Sequence, residues 1–255
     1  MIRLKTKEQI QTMHEGGKRH SEILRALAEM VTPGMSTLVL EEEALRLIHA
    51  HGDTPAFLNY SPKGASRPFP AALCVSINDE IVHGIPNEKE RILRDGDIVS
   101  LDLGLKHGGF ITDSAVTVPV GSVDDESRDI MRLAKEALEA GIKAAQPGAH
   151  IGDIGDAIYK VVKGTGYSLA EDLAGHGVGF EVHEDPFVPN MGRRGEGEKL
   201  VPGMVIAIEP MVNAGGGAIA DTDDGYTIVT ADGSRSAHFE HTIAITETGN
   251  IVLTR

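Results

Sequence analysis

Several residue types are scarce in this chain, and each shortage excludes a class of protein. No run of about 18 apolar residues occurs, so the sequence predicts no membrane-spanning helix. Cys74 is the only cysteine, which excludes an internal disulfide and the cysteine-rich type of structural zinc site. The first residues lack the apolar segment of a secretory signal, so we expect a cytoplasmic protein.

Positive charge is also scarce. The chain carries 24 Lys and Arg against 38 Asp and Glu, a formal net charge of −14. Phosphate backbones are bound by basic surfaces, so specific nucleic-acid binding is not expected. An acidic cavity suits a cationic ligand, such as a metal ion or a free amino group. The alternative is that the excess acid only keeps the protein dissolved.

Helix and strand signals occur in the same order in both halves of the 255 residues. Helical patterns cover residues 6–31 and about 37–51, where Thr37 is the predicted cap, and then 125–146 and 151–162. Pro33-Gly34 and Pro147-Gly148 end the first helix of each half. After a proline-rich loop (55–70), the strand-like runs are AALCVSI, DIVSLDLG and ITDSAVTVPV, and later MVIAIEP, YTIVTAD and HTIAITET.

Acidic residues recur at matching places in these strands. Gly96 lies six residues before Asp102, and Gly203 lies six residues before Glu209. In both cases a turn is followed by an apolar run that ends at a carboxylate. Asp113 and Glu240 each stand at the start of the next β-branched strand. The longer gap in the second half contains NAGGGAIADTDDG, which we interpret as an inserted glycine-rich turn.

The repeat predicts an α+β protein with two halves related by a pseudo-twofold axis, at about 1–120 and 121–255, in a single catalytic domain. Each half would bring two carboxylates to a shared centre. Buried carboxylates are costly unless they are paired or bound to metal. Four of them balance two divalent ions, and oxygen ligands with imidazole suit Mn, Fe, Co or Zn.

The histidines supply candidate partners for these acids. His176 and His183 lie seven positions apart in GHGVGFEVHEDP, and His83 lies in NDEIVHGIP, where an exposed loop residue is expected. One of the pair would complete the metal shell and the other would face the substrate, and the spacing leaves open which does which. We interpret the other eight histidines as surface or packing residues, including His49, His51, His107 and His241.

These residues resemble, in type and order, those of the type I methionine aminopeptidases. The strings that carry the resemblance are INDEIVHGIP, LDLG with Asp113 downstream, GHGVGFEVHEDP, MVIAIEP and FEHT. The resemblance covers nearly the whole chain and implies the pita-bread fold, in which two halves enclose a dinuclear metal site. We expect no extra N-terminal domain of the prolidase type and no large type II insertion, so the chain is similar to the short, bacterial-style members.

The resemblance also implies roles for the residues. Asp113 and Glu240 would bridge two metals, Asp102 would hold one, and His176 with Glu209 the other. A water or hydroxide between the metals would attack the first peptide carbonyl. Glu209 would move the proton, His183 would stabilise the developing oxyanion, and His83 would contact the scissile amide.

The implied methionine pocket departs from the family in two places. Its candidate residues by position are Phe57, Tyr60, Cys74, Val182 and Tyr226. Family members often have phenylalanine where Val182 stands, and bacterial members often have tryptophan where Tyr226 stands. The pocket is therefore expected to be wider or differently shaped on one side. Core packing is the alternative role for each of these five residues.

The function that the resemblance implies is removal of the initiator methionine from nascent proteins and peptides, with preference for a small second residue. The resemblance also implies a cytoplasmic monomer that needs two divalent ions. The ribosomal exit region is a further candidate partner. A dipeptidase or proline-directed aminopeptidase on the same fold is an alternative, and a non-catalytic partner-binding protein is another. A phosphate-binding loop is not expected, because the glycine run 215–217 lacks the GK[ST] signature.

Overall fold

The computed structural model describes residues 1–62 and 64–255. Its helices are α1 (Lys7–Met30), α2 (Thr37–Ala50), α3 (Asp125–Ala144) and α4 (Ile151–Val162). The strands, in chain order, are β1 (Thr54–Pro55), β2 (Leu73–Ile77), β3 (Glu80–Val82), β4 (Ile98–His107), β5 (Phe110–Pro119), β6 (Ser168–Leu169), β7 (Ala174–Gly177), β8 (Glu184–Pro189), β9 (Val205–Ile208), β10 (Met211–Asn213), β11 (Ile219–Asp221), β12 (Ile228–Thr230), β13 (Ser236–His238), β14 (His241–Ile245) and β15 (Asn250–Val252). The predicted helices are confirmed to within a few residues.

Side-chain caps explain where the helices begin. Thr6 forms a capping box with Gln9 at the start of α1. The predicted cap of α2 was wrong by one residue: Ser36 Oγ accepts from the Leu38 amide at 3.3 Å, whereas Thr37 Oγ1 donates to the Pro86 carbonyl at 2.9 Å. The hydroxyl of Thr37 is therefore already committed to a neighbouring loop.

The two Pro-Gly signals have the same backbone geometry. Gly34 and Gly148 have φ angles of +89° and +88°, a region that residues with a Cβ rarely adopt. Each glycine turns the chain after a helix and before the next one. The sequence match between the two halves is therefore also a match in conformation.

In the first half, one antiparallel sheet is covered by α1 and α2. β4 pairs along its whole length with β5, and its other edge pairs with β2 at residues 99–103 and with β1 at residues 105–106. The apolar core between sheet and helices includes Leu27, Leu40, Val75 and Leu101, all of which are fully buried.

In the second half, α3 and α4 pack on a five-stranded sheet with the order β15-β14-β9-β7-β8. Its core includes Leu138, Ile158, Ile206 and Ile243. Two three-stranded sheets, β13-β10-β6 and β11-β12-β3, complete the fold. The prediction of a glycine-rich turn over 213–225 was incomplete, because β11 within it forms a hairpin with β12 and places β12 against β3.

The two halves join where β5 meets the start of β14. The Glu240 amide donates to the Ala115 carbonyl at 3.0 Å, and Thr242 Oγ1 both accepts from the Asp113 amide at 2.8 Å and donates to the Asp113 carbonyl at 2.7 Å. The seam therefore holds one carboxylate of each half. Among the described residues, no helix has the length and apolarity needed to span a membrane.

Candidate active site

Strand pairing brings the four acidic side chains together. In the first sheet, Asp102 pairs with Ala115 and Gly104 with Asp113, so both carboxylates lie diagonally on one face. In the second sheet, Glu209 directly follows β9 and Glu240 directly precedes β14. Because Ile208 pairs with His241, the two glutamates come opposite each other.

Asp102 differs from its predicted position. The sequence suggested that it ends an apolar run, but β4 continues to His107, so Asp102 lies inside the strand. Only Glu209 ends its run as expected. In the continued strand, Gly104 lets the Phe57 ring pack closely against β4, because a Cβ there would lie 2.5 Å from Phe57 Cε1.

Three of the carboxylates are buried and Glu209 is half-buried, and each of the four has an oxygen without the partner that a buried charge needs. Asp102, Asp113 and Glu240 are 8%, 3% and 2% exposed. One oxygen on each of these three, and Oε1 of Glu209, is buried and has no hydrogen-bond partner in the part of the chain that the structure describes. Such atoms cost free energy unless a cation binds them.

Burial and mutual repulsion change the acidity of these groups. Burial raises the pKa of Asp102 to about 7. Burial, reinforced by the neighbouring carboxylates, raises the pKa of Asp113, Glu209 and Glu240 well above the ordinary value. A group of acids that resists ionisation in this way is a typical environment for a bound cation, which compensates the charge.

The three predicted histidines surround the acids. His176 lies on β7, and its Nε2 is 3.4 Å from Glu209 Oε1. His183 lies just before β8, with its ring centroid 4.4 Å from that of His176 and its Nδ1 2.9 Å from the Tyr60 hydroxyl. His83 follows β3 with a φ of +61°. It is half-buried, so the expectation of an exposed loop residue was wrong.

The imidazoles are neutral at physiological pH. Burial, with the adjacent His183, lowers the pKa of His176 to about 3 and that of His83 to about 4. Burial also lowers the pKa of His183. Neutral imidazole is the form that binds a metal or exchanges a hydrogen bond with a substrate. Protonation therefore permits either role for each ring.

One cavity of about 110 Å³ collects the predicted site residues. All seven acidic and histidine residues line it, and so do the five candidates for the methionine pocket: Phe57, Tyr60, Cys74, Val182 and Tyr226. Cys74 follows from register, since it pairs with Asp102. Burial, together with the nearby carboxylates, raises the pKa of this thiol, so it remains a neutral, weakly polar wall.

Sequence reasoning missed three lining residues and one neighbour. Pro62, Phe69 and Val82 also line the cavity. Phe69 packs edge-on against Phe57, with ring centroids 6.5 Å apart, and against Tyr226 at 5.1 Å. The only indication in the sequence was that Phe69 is an aromatic residue in the proline-rich loop. A loop has no regular periodicity, so the sequence does not indicate which way this side chain points.

The neighbour that sequence reasoning missed is His238. It belongs to the eight histidines interpreted as surface or packing residues, yet its Nε2 lies 3.8 Å from Glu209 Oε2. His238 is buried, which agrees with a packing residue, but the interpretation did not indicate that it lies beside the site. Its position two residues before Glu240 was the available signal. Another histidine agrees with the surface or packing interpretation: His107 Nδ1 lies 2.7 Å from Asp53 Oδ1, and Asp53 is not one of the four site carboxylates.

A second cavity meets the first at the solvent side. It shares His176 and His183 with the first cavity and is also lined by Met1, Arg3, Ala174, Gly175, Glu184, Asp185 and Phe187. Phe187 pairs with His176 across β7 and β8 and is 63% exposed. The two cavities therefore adjoin at the two histidines, with buried Cys74 lining the first and exposed Phe187 lining the second.

The donor set fits divalent metal. One ligand atom each from Asp113, His176 and Glu240 lies within 4.8 Å of the others, so these three residues could hold a metal ion. The buried oxygens that lack partners supply further oxygen ligands around them. Carboxylate oxygens with one imidazole suit Mn, Fe, Co or Zn rather than a cysteine-rich structural site.

Comparisons with known proteins agree with this geometry. The model of metallopeptidase family M24 matches residues 11–247. A methionine aminopeptidase of Clostridium perfringens is 45% identical over 254 residues, covering 100% of this chain and 99% of the relative. Methionine aminopeptidase 1 of Bacillus subtilis is 43% identical over 255 residues, covering 100% of both.

Solved structures show the same fold. A methionine aminopeptidase of Thermotoga maritima superposes with a TM-score of 0.95 at 41% identity, covering 100% of both chains. A prolidase of Pyrococcus furiosus superposes with a TM-score of 0.76 at 25% identity, covering 99% of this chain but 65% of the prolidase. The fold is thus the α+β pita-bread fold, as predicted. The chain belongs to metallopeptidase family M24 and is a metal-dependent peptide hydrolase.

Proposed function

We propose that this enzyme removes the N-terminal methionine from peptides and nascent proteins, and that it prefers a small second residue. The observation that carries the proposal is one cavity in which apolar side chains adjoin four carboxylates and three histidines. The apolar part can accept one side chain, and the carboxylates beside it suit the free amino group of a first residue. Full-length similarity to methionine aminopeptidases supports the same substrate.

The acids are proposed to hold two divalent ions, drawn from Mn, Fe, Co or Zn. Asp113 and Glu240, which face each other across the seam of the two halves, would be shared by both ions. Asp102 would serve one ion, and His176 with Glu209 the other. When bound, such a pair of ions supplies Lewis acidity and an activated water at the site. The acidic surroundings also suit the free amino group of a substrate.

Three side chains are proposed to act on the substrate and its protons. Glu209 has the raised pKa expected of a proton acceptor and donor, and it lies at the end of β9 beside the cavity. His183 is held by the Tyr60 hydroxyl and would donate a hydrogen bond to the developing oxyanion. His83, which also lines the cavity, would contact the scissile amide.

The methionine side chain would fill the apolar end. Phe57 and Cys74 are 8% and 3% exposed, and Val182 is 2% exposed, so this wall is preformed. Tyr60 and Tyr226 are half-buried and would close the sides. Valine in place of phenylalanine at position 182 leaves space on one side, which favours a pocket that tolerates other unbranched apolar side chains.

The remaining features are proposed on the same basis. The whole chain would form a single catalytic domain that acts as a cytoplasmic monomer on the N-terminal methionine of nascent polypeptides. Each half has its own apolar core, but the site lies where the halves meet. Neither half alone has a complete site, which supports a single catalytic domain.

Methionine release from Met-Ala-Ser tests the proposal. The enzyme would be stripped with a chelator and reloaded with Mn, Fe(II), Co or Zn. We expect metal-dependent release from Met-Ala-Ser, little from Leu-Ala-Ser, and little from Met-Leu-Ser because the second residue is large. Hydrolysis of proline-containing dipeptides with none of Met-Ala-Ser would overturn the proposal in favour of the dipeptidase alternative.

A further inference from the structure

His238 is a buried imidazole whose environment calls for an explanation. It ends β13 and is 1% exposed. Its backbone is held on both sides by Thr117, whose Oγ1 accepts from the His238 amide at 2.8 Å and donates to the His238 carbonyl at 2.8 Å. Neither ring nitrogen has a hydrogen-bond partner among the described residues. Leaving buried polar atoms unpaired destabilises the folded protein, so these two nitrogens need an explanation.

The ring faces the carboxylate of Glu209, which stands between two imidazoles. His176 Nε2 lies 3.4 Å from Oε1, and His238 Nε2 lies 3.8 Å from Oε2. Two ligands of one metal ion at about 2.0–2.2 Å are roughly 3.0–3.5 Å apart at ordinary bond angles. The first separation therefore fits two ligands of one ion, and Oε1 is the oxygen of Glu209 that lacks a partner.

The 3.8 Å between His238 Nε2 and Glu209 Oε2 is better explained by a hydrogen bond than by a shared metal ion. Oε2 is the oxygen left over when Oε1 serves a metal ion, and His238 is the imidazole that faces it. A shift of about 0.6 Å brings the two atoms within hydrogen-bond distance. An oriented ligand carboxylate is commonly held by a donor on its free oxygen.

We propose that His238 is a positioning residue for the metal site that His176 and Glu209 form. Its Nε2–H donates to Glu209 Oε2 and so determines that Oε1 is presented to the ion. The other ion, held by Asp102 with the shared carboxylates, does not depend on it. The inference rests on the two-ion centre of the proposed function.

Two substitutions separate a hydrogen-bond donor from a metal ligand. His238→Gln keeps an N–H donor at similar reach, whereas His238→Met has a similar size but no donor. His20→Met is the matched control: His20 is also fully buried with an unpartnered Nε2, but its Nδ1 contacts Thr112 Oγ1 and not the site acids. Mn(II) titration calorimetry and Co(II) absorption spectra would report each ion separately from activity.

We expect wild-type protein and the His20→Met control to bind two ions. His238→Met should bind one ion normally and the other about 10–100-fold more weakly, and His238→Gln should restore the second. Unchanged binding in His238→Met would overturn the inference. So would equal loss in both variants, which would make the ring a ligand. A wild-type protein that binds only one ion would overturn the two-ion centre itself, and the inference with it.

A measurement on the wild-type protein avoids any dependence on how the variants fold. In ¹⁵N-histidine NMR of the Zn-loaded enzyme, His238, assigned by difference from the His238→Gln spectrum, should carry its proton on Nε2 in slow exchange. An unprotonated Nε2 would overturn the inference.

Discussion

At the scale of the residue, the site depends on where individual oxygens point. Asp113 is the clearest case, because its amide and carbonyl are both held by Thr242 while its Oδ1 has no partner within the described part of the chain. The backbone bonds fix the residue without using its carboxylate. The side chain is therefore available to a cation, and its chemistry can be changed with little effect on the strand.

Asp113→Asn is expected to lower turnover at least about a thousandfold, because an amide nitrogen cannot replace a shared carboxylate oxygen and the lost electrostatic stabilisation is several kcal/mol. The unfolding midpoint should change little. Peptide assays and thermal denaturation check the two parts. Asp172→Asn, the same change at an exposed site, is the control. Full activity of Asp113→Asn would contradict the shared role.

His183→Ala tests the division of labour between the histidines. Loss of a hydrogen-bond donor to an oxyanion typically lowers kcat about 10²–10³-fold, so turnover should fall while metal content remains. Tyr60→Phe, which removes the hydroxyl bonded to His183 Nδ1, should cause a smaller fall. Metal analysis beside kinetics checks this result. If His183→Ala instead lost metal, His183 would be a ligand.

At the scale of the element, β2 is held in place by a side chain from a helix. Glu41 on α2 is 4% exposed, and its two oxygens accept from the Ala72 and Leu73 amides at 2.8 and 2.9 Å. The next residue along the strand is Cys74 of the proposed methionine pocket. The sequence predicted both α2 and β2, from a helix cap and from a strand-like run. Neither pattern indicated that the Glu41 carboxylate links the two elements.

Glu41→Gln should destabilise the protein by about 1–3 kcal/mol, because one amide of β2 then faces an N–H group instead of an oxygen. A displaced β2 should also raise KM for methionine peptides more than it lowers kcat. Urea denaturation and steady-state kinetics measure the two effects. Glu42→Gln, at an exposed neighbouring position, should change neither. An unaltered denaturation midpoint in Glu41→Gln would contradict the linking role.

At the scale of the whole molecule, the acidic centre couples stability, metal and pH. Burial raises the pKa of Asp102 to about 7, from the 3.8 that is ordinary for an aspartate. An acid whose pKa is raised in the folded state stabilises the metal-free fold at low pH, and this contribution is lost as pH rises through about 7. A cation binds the ionised form, so protons compete with it below that pH. His176, with a pKa of about 3, adds no such competition in this range.

Added Mn(II) should therefore raise the Tm more at about pH 8 than at about pH 5, by about 2–4 °C for each kcal/mol of binding free energy in a chain of this size. Calorimetric scans with and without the ion measure the difference. In Asp102→Asn the difference between the two pH values should become smaller. An equal shift of Tm at both pH values in the wild-type protein would contradict the coupling.

Local sequence was sufficient for much of this protein. The helices were predictable because caps and Pro-Gly turns act within a few residues, and Gly34 and Gly148 adopt the conformation that the signal implies. The two-half organisation was predictable because duplicated turns and acids have the same spacing. The family resemblance assigned candidate roles because its motifs match in residue type and order. None of these signals requires knowledge of which strands become neighbours.

Tertiary structure decided what depends on neighbours distant in the chain. It extended β4 past Asp102, placed His83 on the cavity wall and turned Phe69 of an irregular loop toward Tyr226. It also set His238 against Glu209, 29 positions away in the chain, which no periodicity indicates. The physical reason is that side-chain period and caps specify local conformation, whereas burial and the pairing of polar atoms are determined by how separate strands pack.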